Sequence, residues 1–257
     1  MVKFANILFS GPCTAHCPFC IGRQIDPRLN HNNLDEYPPR GLERFIELVR
    51  QHRITELALT GSNTDPQAYR HEARLIERLR AELPGVRLSL HTNGRLALQK
   101  ITEFNRYDRA SVSLPSFDPD IYRALMGVAG PPDLERLLAL AHIPVKLSCV
   151  LAEANQGEIG AYLERCQALG VRRAALRKLY GDRRPWAALL PLDDPAWQAQ
   201  GEFAGAPVYR FQGLQVTLWD FEAVQAQALN LFSSGLISSA YHLVGVRPEG
   251  KLQKMAG

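Results

Sequence analysis

Short apolar runs of strand length alternate with amphipathic stretches through the first two thirds of the chain. Residues 3–10 (KFANILFS) form the first run, short and mostly apolar as a buried strand should be. The second spans 56–60 and ends at Gly61; the third covers 86–91, the fourth 110–114, the fifth 144–151 and the sixth 171–179. Helical patterns lie between them. Leu42, Phe45, Ile46 and Val49 repeat at the i, i+3, i+4, i+7 spacing of one helix face. Residues 67–83 place Leu75, Leu79 and Leu83 on one face and stop at Pro84-Gly85. Further helices are predicted over 96–104, after Asp118-Pro119, after Pro131-Pro132-Asp133, and over 157–169. Asp caps a helix start well, and Pro is tolerated in the first turn.

Six strand–helix units with short connections predict an α/β fold, a parallel sheet with right-handed crossovers. Six units rather than eight predict a partial β/α barrel, with the loops after the strands gathered at one mouth, where barrel enzymes place their chemistry. Regularity weakens after Asp182. Residues 186–205 read as a loop across the sheet, and 208–211, 214–219, 229–232 and 236–243 as short strands, with Gly213 and Gly235 as turn residues. The expected organisation is a barrel core over 1–182 and a short irregular, β-containing extension over 183–257. That extension is expected to cover the mouth or the open side and not to fold alone, with a frayed end from Arg247 onward.

The first predicted strand runs directly into Cys13-Thr14-Ala15-His16-Cys17-Pro18-Phe19-Cys20. Three thiolates this close on a loop can converge on one metal centre. A four-iron cube held by Cys thiolates offers four corners, and only three ligands are supplied here. One iron would stay open, as catalytic metal sites require. The same eight residues also admit a closed Cys₃His zinc site through His16, although adjacent His16 and Cys17 are poorly placed to reach one ion. Two further cysteines, Cys149 and Cys166, are far apart and read as buried small side chains. An odd total of five cysteines, three of them clustered, argues against a secreted disulfide framework. With no bilayer-length apolar run and no signal-peptide layout at the start, the expectation is a cytoplasmic protein away from membranes. The formal net charge of +4 favours anionic partners only mildly, and no block of like charge suggests a nucleic-acid arm.

The cysteine spacing, with an aromatic just before the last cysteine, resembles the radical S-adenosylmethionine (SAM) superfamily. Other strand ends extend the likeness toward the branch containing the GTP cyclase of molybdenum-cofactor synthesis and many peptide-modifying enzymes. His91-Thr92-Asn93-Gly94 is similar to that branch's Thr-Thr-Asn-Gly. Ser111-Val112-Ser113-Leu114-Pro115-Ser116, followed by Phe117-Asp118-Pro119, resembles its Ser-Leu-Asp-Ser-Leu-Asp-Pro. Val145-Lys146-Leu147-Ser148, continuing to Asn155 and Glu158, resembles its fifth strand. The likeness covers about residues 4 to 180, and its force lies in the order and spacing of weak pieces.

The resemblance implies one [4Fe–4S] cluster on Cys13, Cys17 and Cys20, with SAM chelating the open iron and yielding a 5′-deoxyadenosyl radical on reduction. The cofactor carries the chemistry; the protein binds, aims and shields it. Phe19 is expected near the adenine, or as a core anchor. Gly61, Ser62, Asn63 and Thr64 stand where the family has Gly-Gly-Glu-Pro, which holds the SAM ammonium. The glutamate is absent, and Asp65-Pro66 is an alternative match after a two-residue extension; a simple capped turn is the other reading. Ser113, then Ser116, are candidates for the ribose hydroxyls, and Thr92 and Asn93 for the methionine carboxylate or for an Asn-Gly turn. Ser148 completes the cofactor-binding set.

Lys146 and Arg177 are the candidate substrate residues. They are basic groups expected at the mouth, where a guanidinium can clamp a carboxylate or phosphate. No cysteine follows Cys166, so the auxiliary cluster of the molybdenum-cofactor cyclases is not expected. The leading expectation is hydrogen abstraction from a small anionic metabolite, with a flavodoxin- or ferredoxin-type reductant. A peptide or protein substrate, including glycyl-radical activation, is the alternative; a non-catalytic metal-binding module ranks lower. Nucleic acid is not an expected partner.

Overall fold

Alternation of side chains along a strand sorts each strand's residues to opposite faces, and in this chain the two faces differ in chemistry. The computed structural model describes residues 4–223 and 228–244, so the reading of residues from Arg247 onward lies outside the described residues. Strands β1 (Phe4–Phe9), β2 (Glu56–Gly61), β3 (Arg87–Thr92), β4 (Arg109–Ser113), β5 (Val145–Val150) and β6 (Arg173–Arg177) pair as parallel neighbours in chain order. Ile7, Phe9, Leu57, Leu59, Leu88, Leu90, Val112, Leu147 and Leu176 form one apolar face. It packs with Leu42, Phe45, Ile46 and Val49 of α1 (Leu42–Gln51) and with Leu75, Ile76 and Leu79 of α2 (Glu72–Glu82) in a single core. The remaining helices are α3 (Ile101–Phe104), α4 (Pro119–Met126), α5 (Leu134–Leu140), α6 (Glu153–Gln156) and α7 (Ile159–Ala168).

The opposite face carries Asn6, Glu56, Ser89, His91, Arg109, Ser111, Lys146, Ser148 and Arg177. Parallel sheets covered on both faces read as near-continuous apolar runs. Here the helices cover one face, and the other lines a polar lumen. The curl of the sheet is visible in one ion pair: Arg109 of β4 meets Glu56 of β2 across the intervening β3. Glu56 also pairs with Arg87 at 2.5 Å.

Beyond β6 the chain extends the sheet at both ends. Strand β7 (Trp197–Phe203) is antiparallel to β8 (Ala206–Phe211), which is antiparallel to β9 (Leu214–Trp219), and β9 lies parallel to β6. Strand β10 (Ala228–Leu231) returns to pair in parallel with β1, and β11 (Ile237–Ser238) caps it. Among the described residues the sheet has eleven strands in the order β11-β10-β1-β2-β3-β4-β5-β6-β9-β8-β7 and does not close by hydrogen bonding. Aromatic contacts bridge its ends. Phe203 lies edge-on to Phe4, with ring centroids 6.0 Å apart, and Phe221 touches both Tyr180 and Tyr241, at 5.9 and 5.0 Å.

Three sequence readings differ from these elements, and in the first of them residues 96–104, read as one helix, keep only the four residues of α3 after a run of turns. Residues 197–203, read as loop, form an edge strand in which only Trp197 is buried, so the apolar run that marks a strand is missing. Residues 236–243, read as strand, keep only the two residues of β11 and an isolated bridge from Leu243 to Ile25. Among the described residues no helix is long and apolar enough to cross a membrane.

Candidate active site

The loop that leaves β1 carries all three clustered cysteines to the C-terminal end of the sheet. It is wedged in place by backbone contacts on two sides. His16 N donates to Met126 O at the end of α4, 2.8 Å away. On the other side Gly22 approaches β2 so closely that an added Cβ would sit 1.8 Å from Ser62 O. Gly61 has a matching constraint: a Cβ there would lie 1.6 Å from Thr64 O. Gly22 allows the cysteine loop and the end of β2 to touch backbone to backbone, and Gly61 allows the loop after β2 to fold tightly back on its own strand end.

All five cysteines are free; Cys13, Cys17 and Cys20 are partly exposed, whereas Cys149 and Cys166 are buried. Cys17 Sγ lies 3.6 Å from Met126 Sδ, and Cys20 Sγ lies 3.8 Å from Ser62 O. Burial, then the neighbouring thiols, push Cys17 up to about 11, and burial raises Cys13 as well. A coordinated metal reverses that bias, because a coordinating thiol is deprotonated outright. Among the described residues no three His, Cys, Asp or Glu side chains surround a point that would hold a single ion. His16 is exposed. Three free thiols on one mouth-facing loop suit a multi-iron cluster with a fourth corner left open.

The side chains after β2 brace this loop. Asn63 Oδ1 accepts from Ser10 Oγ at 2.8 Å and from Gly11 N at 3.2 Å. Thr64 Oγ1 donates to Pro12 O at 2.5 Å, and Ser62 Oγ lies 2.6 Å from Asn30 Oδ1 and 3.0 Å from Phe9 O. Asp65 is buried, and both its oxygens are engaged. Oδ2 accepts from Thr92 Oγ1 at 2.8 Å and from Asn93 N at 2.7 Å, while Oδ1 accepts from Gln67 N at 2.9 Å. Burial raises its pKa against the pull of those donors. Thr92 is thereby committed to Asp65. The Asn93 side chain reaches the cysteine loop, with Nδ2 3.0 Å from Thr14 Oγ1 and 3.8 Å from Cys13 Sγ.

Ser113, at the end of β4, is exposed and sits in register with buried Ser148 of β5. Ser116 is fully buried, and its Oγ accepts from Asp118 N at 2.9 Å, so that hydroxyl serves the turn into α4. Phe19 is half-buried on the cysteine loop.

Lys146 and Arg177 meet in the lumen with two residues that the sequence reading did not single out as substrate contacts, His91 and Arg109. Each keeps some contact with water, yet protein surrounds them. Desolvation, then Arg177, Arg173 and Arg109, lower Lys146 to about 7; Glu56 opposes the shift. Desolvation also lowers Arg177, whose Nε has no hydrogen-bond partner, and Tyr241 counters that shift. His91 is held well below its ordinary value by burial and then by Lys146, Arg177 and Arg109, which keeps the imidazole neutral. The missed signal was the polar phase of β3 and β4: Ser89 and His91, then Arg109 and Ser111, alternate with apolar neighbours. Tyr241 had no such signal, because it arrives from a distant segment.

A family model described as the radical SAM superfamily matches residues 7–143, more than half of the chain. The chain belongs to the radical SAM superfamily. Its cofactors are those of the superfamily, a [4Fe–4S] cluster and SAM. The chain is 32% identical over 168 residues to a probable GTP 3′,8-cyclase of Thermococcus kodakarensis, covering 62% of this chain and 51% of that protein. It is 25% identical over 168 residues to the probable GTP 3′,8-cyclase of Thermoplasma volcanium, covering 62% and 48%. The chain thus spans about half the length of these radical SAM relatives. The crystal structure of Streptococcus suis SuiB bound to precursor peptide SuiA superposes with a TM-score of 0.56 at 15% identity, over 70% of this chain and 40% of that one, a likeness of fold.

Proposed function

We propose that this radical SAM protein abstracts hydrogen from a small anionic metabolite, a nucleotide, sugar acid or amino-acid-like molecule, held in the polar lumen. The observation that carries this reading is the cationic set inside the barrel. Arg177 offers an unpartnered Nε, and the Lys146 charge is opposed more than it is offset by its neighbours. Buried cations in mutual repulsion are costly unless an anion joins them. A carboxylate or phosphate would relieve that repulsion and take paired hydrogen bonds from the guanidinium.

In this reading Cys13, Cys17 and Cys20 hold the cluster at three corners. Bound together, cluster and SAM supply reductive carbon–sulfur cleavage and a 5′-deoxyadenosyl radical. The chain's own contribution is placement. Backbone carbonyls of Gly61, Ser62, Asn63 and Thr64 would receive the SAM ammonium, since the Asn63 and Thr64 side chains are engaged with the cysteine loop and that of Ser62 with Phe9 O and Asn30. Ser113 would face the ribose with Ser148 beside it, and Phe19 would pack near the adenine. Thr92, Asn93 and Ser116 support these groups from behind. Lys146 and Arg177 fix the substrate, and neutral His91 accepts or donates a hydrogen bond without adding charge. A flavodoxin- or ferredoxin-type protein delivers the electron, and the protein works in the cytoplasm.

Anaerobically reconstituted protein should bleach with dithionite and convert SAM to 5′-deoxyadenosine and methionine. Cys13→Ala, Cys17→Ala and Cys20→Ala should each abolish that cleavage, and Cys149→Ala should leave it intact. Arg177→Ala should preserve slow uncoupled cleavage and lose the stimulation that the anionic substrate gives. Loss of uncoupled cleavage in Arg177→Ala would make Arg177 a SAM contact and remove the support for an anionic substrate.

A further inference from the structure

The end of β3 makes one contact that cofactor binding does not require. The Asn93 carboxamide is held by three partners that fix which way it faces. Arg95 N donates to Oδ1 at 3.0 Å, so the oxygen must lie on that side and the amide nitrogen opposite. The nitrogen has two hydrogens and two acceptors: Thr14 Oγ1 at 3.0 Å and Cys13 Sγ at 3.8 Å. Thr14 Oγ1 in turn lies 3.3 Å from Asn93 Oδ1, closing a reciprocal contact with the residue that follows Cys13.

The backbone under this side chain is fixed as well. Asp65, 2% exposed, accepts from Asn93 N and from Thr92 Oγ1, and Thr92 Oγ1 also accepts from Gly94 N at 3.0 Å. A buried carboxylate with its donors in place costs little to keep and much to disturb. The chain of contacts therefore runs from Asp65 on the β2 loop, through Asn93, to the sulfur of Cys13.

We propose that Asn93 is a positioning residue for the cluster: its carboxamide donates a hydrogen bond to Cys13 Sγ, and Asp65 holds it in place to do so. Hydrogen bonds to cluster sulfurs are among the factors that set reduction potential. Donation to a thiolate favours the reduced, more negative state, so this contact raises the potential and eases electron entry. The inference rests on Cys13 being a cluster ligand, which loss of iron in Cys13→Ala tests separately. It does not depend on the identity of the substrate.

The test is a dithionite potentiometric titration of the reconstituted cluster, followed by electron paramagnetic resonance, without SAM or substrate. Asn93→Ala removes the donor to sulfur without adding charge, and the midpoint should move to a more negative potential. Asn93→Asp, which keeps the acceptor for Arg95 N but replaces the donor by a negative charge, should move it further the same way. Thr92→Val, neutral and of the same shape, removes one donor that fixes Asp65 and leaves the Asn93 donor, and should give a smaller shift of the same sign. An unchanged midpoint in Asn93→Ala would overturn the proposal, with or without weaker SAM binding. If neither Asn93 variant assembles a cluster, Thr92→Val decides, and an unchanged midpoint there overturns the proposal.

Discussion

Lys146 occupies a place in which lysine seldom keeps its ordinary proton affinity. Desolvation and then the Arg177, Arg173 and Arg109 charges bring it down to about 7, from 10.5. Acylation by an amine reagent, followed by mass spectrometry across pH, should show Lys146 turning reactive with a midpoint near 7 while exposed lysines respond several units higher. Arg177→Ala removes the strongest of those charges and should raise that midpoint; an unmoved midpoint would mean the two groups do not share the lumen. The same shift has a signed effect on stability. Between about pH 7 and 10.5 the unfolded chain holds the proton that folded Lys146 has released, so stability gains with rising pH across that window. Urea titrations should therefore show wild type gaining on Lys146→Met as pH rises. The sequence pointed to Lys146 and Arg177 because both are basic groups on strands of the barrel, where an inward-facing cation can meet a substrate. It did not point to Asp65 as a brace, because an Asp-Pro pair reads equally well as a helix or turn start, which it also is here.

At the scale of elements, the six central strands were legible because each is a short apolar run between clear stop signals. Their second property, the polar phase inside each run, is what separates this barrel from a fully covered parallel sheet. β3 reads Arg87-Leu88-Ser89-Leu90-His91, and β4 reads Arg109-Ala110-Ser111-Val112-Ser113, with the apolar members beneath helices and the polar members in the lumen. β7 stayed hidden because an edge strand buried only at Trp197 needs no apolar phase. The cysteine loop was legible by its ligands and not by its supports. Gly22 is unremarkable in sequence, yet its Cβ position lies 1.8 Å from the Ser62 carbonyl oxygen. Gly22→Ala must push the loop off the end of β2, a backbone-against-backbone conflict at least as costly as core overpacking, about 1–3 kcal/mol. The variant should melt at lower temperature and take up less iron on reconstitution. Gly160→Ala, where nothing lies within 4 Å of the added Cβ, is the matched control and should do neither.

At the scale of the whole molecule, the extension after Asp182 contributes strands to both ends of the sheet. β9 covers the free edge of β6, and β10 covers that of β1, two strands separated by the full width of the barrel. The sequence reading saw short strands in this region but had no means of placing them, because partner choice between distant strands leaves no local pattern. We infer that residues 1–182 and the extension form one folding unit. Leu214, Val216, Leu218, Leu229 and Leu231 are all buried and all belong to the extension. At about 1.5–3 kcal/mol for each fully buried aliphatic side chain, their loss is on the order of 10 kcal/mol. That is comparable with the whole net stability of a typical domain, roughly 5–15 kcal/mol. Truncation would also leave the polar edges of β1 and β6 unpaired, which invites association between chains. A chain ending at Asp182 should therefore be recovered largely as aggregate, and its soluble fraction should unfold in urea without a cooperative transition by circular dichroism. A soluble 1–182 fragment with a sigmoidal transition would show that the six strand–helix units are self-sufficient, and would return the extension to the role of a removable cover. Supplying residues 183–257 as a separate chain provides the complementary measurement: in one folding unit they restore cooperative unfolding only when both pieces refold together.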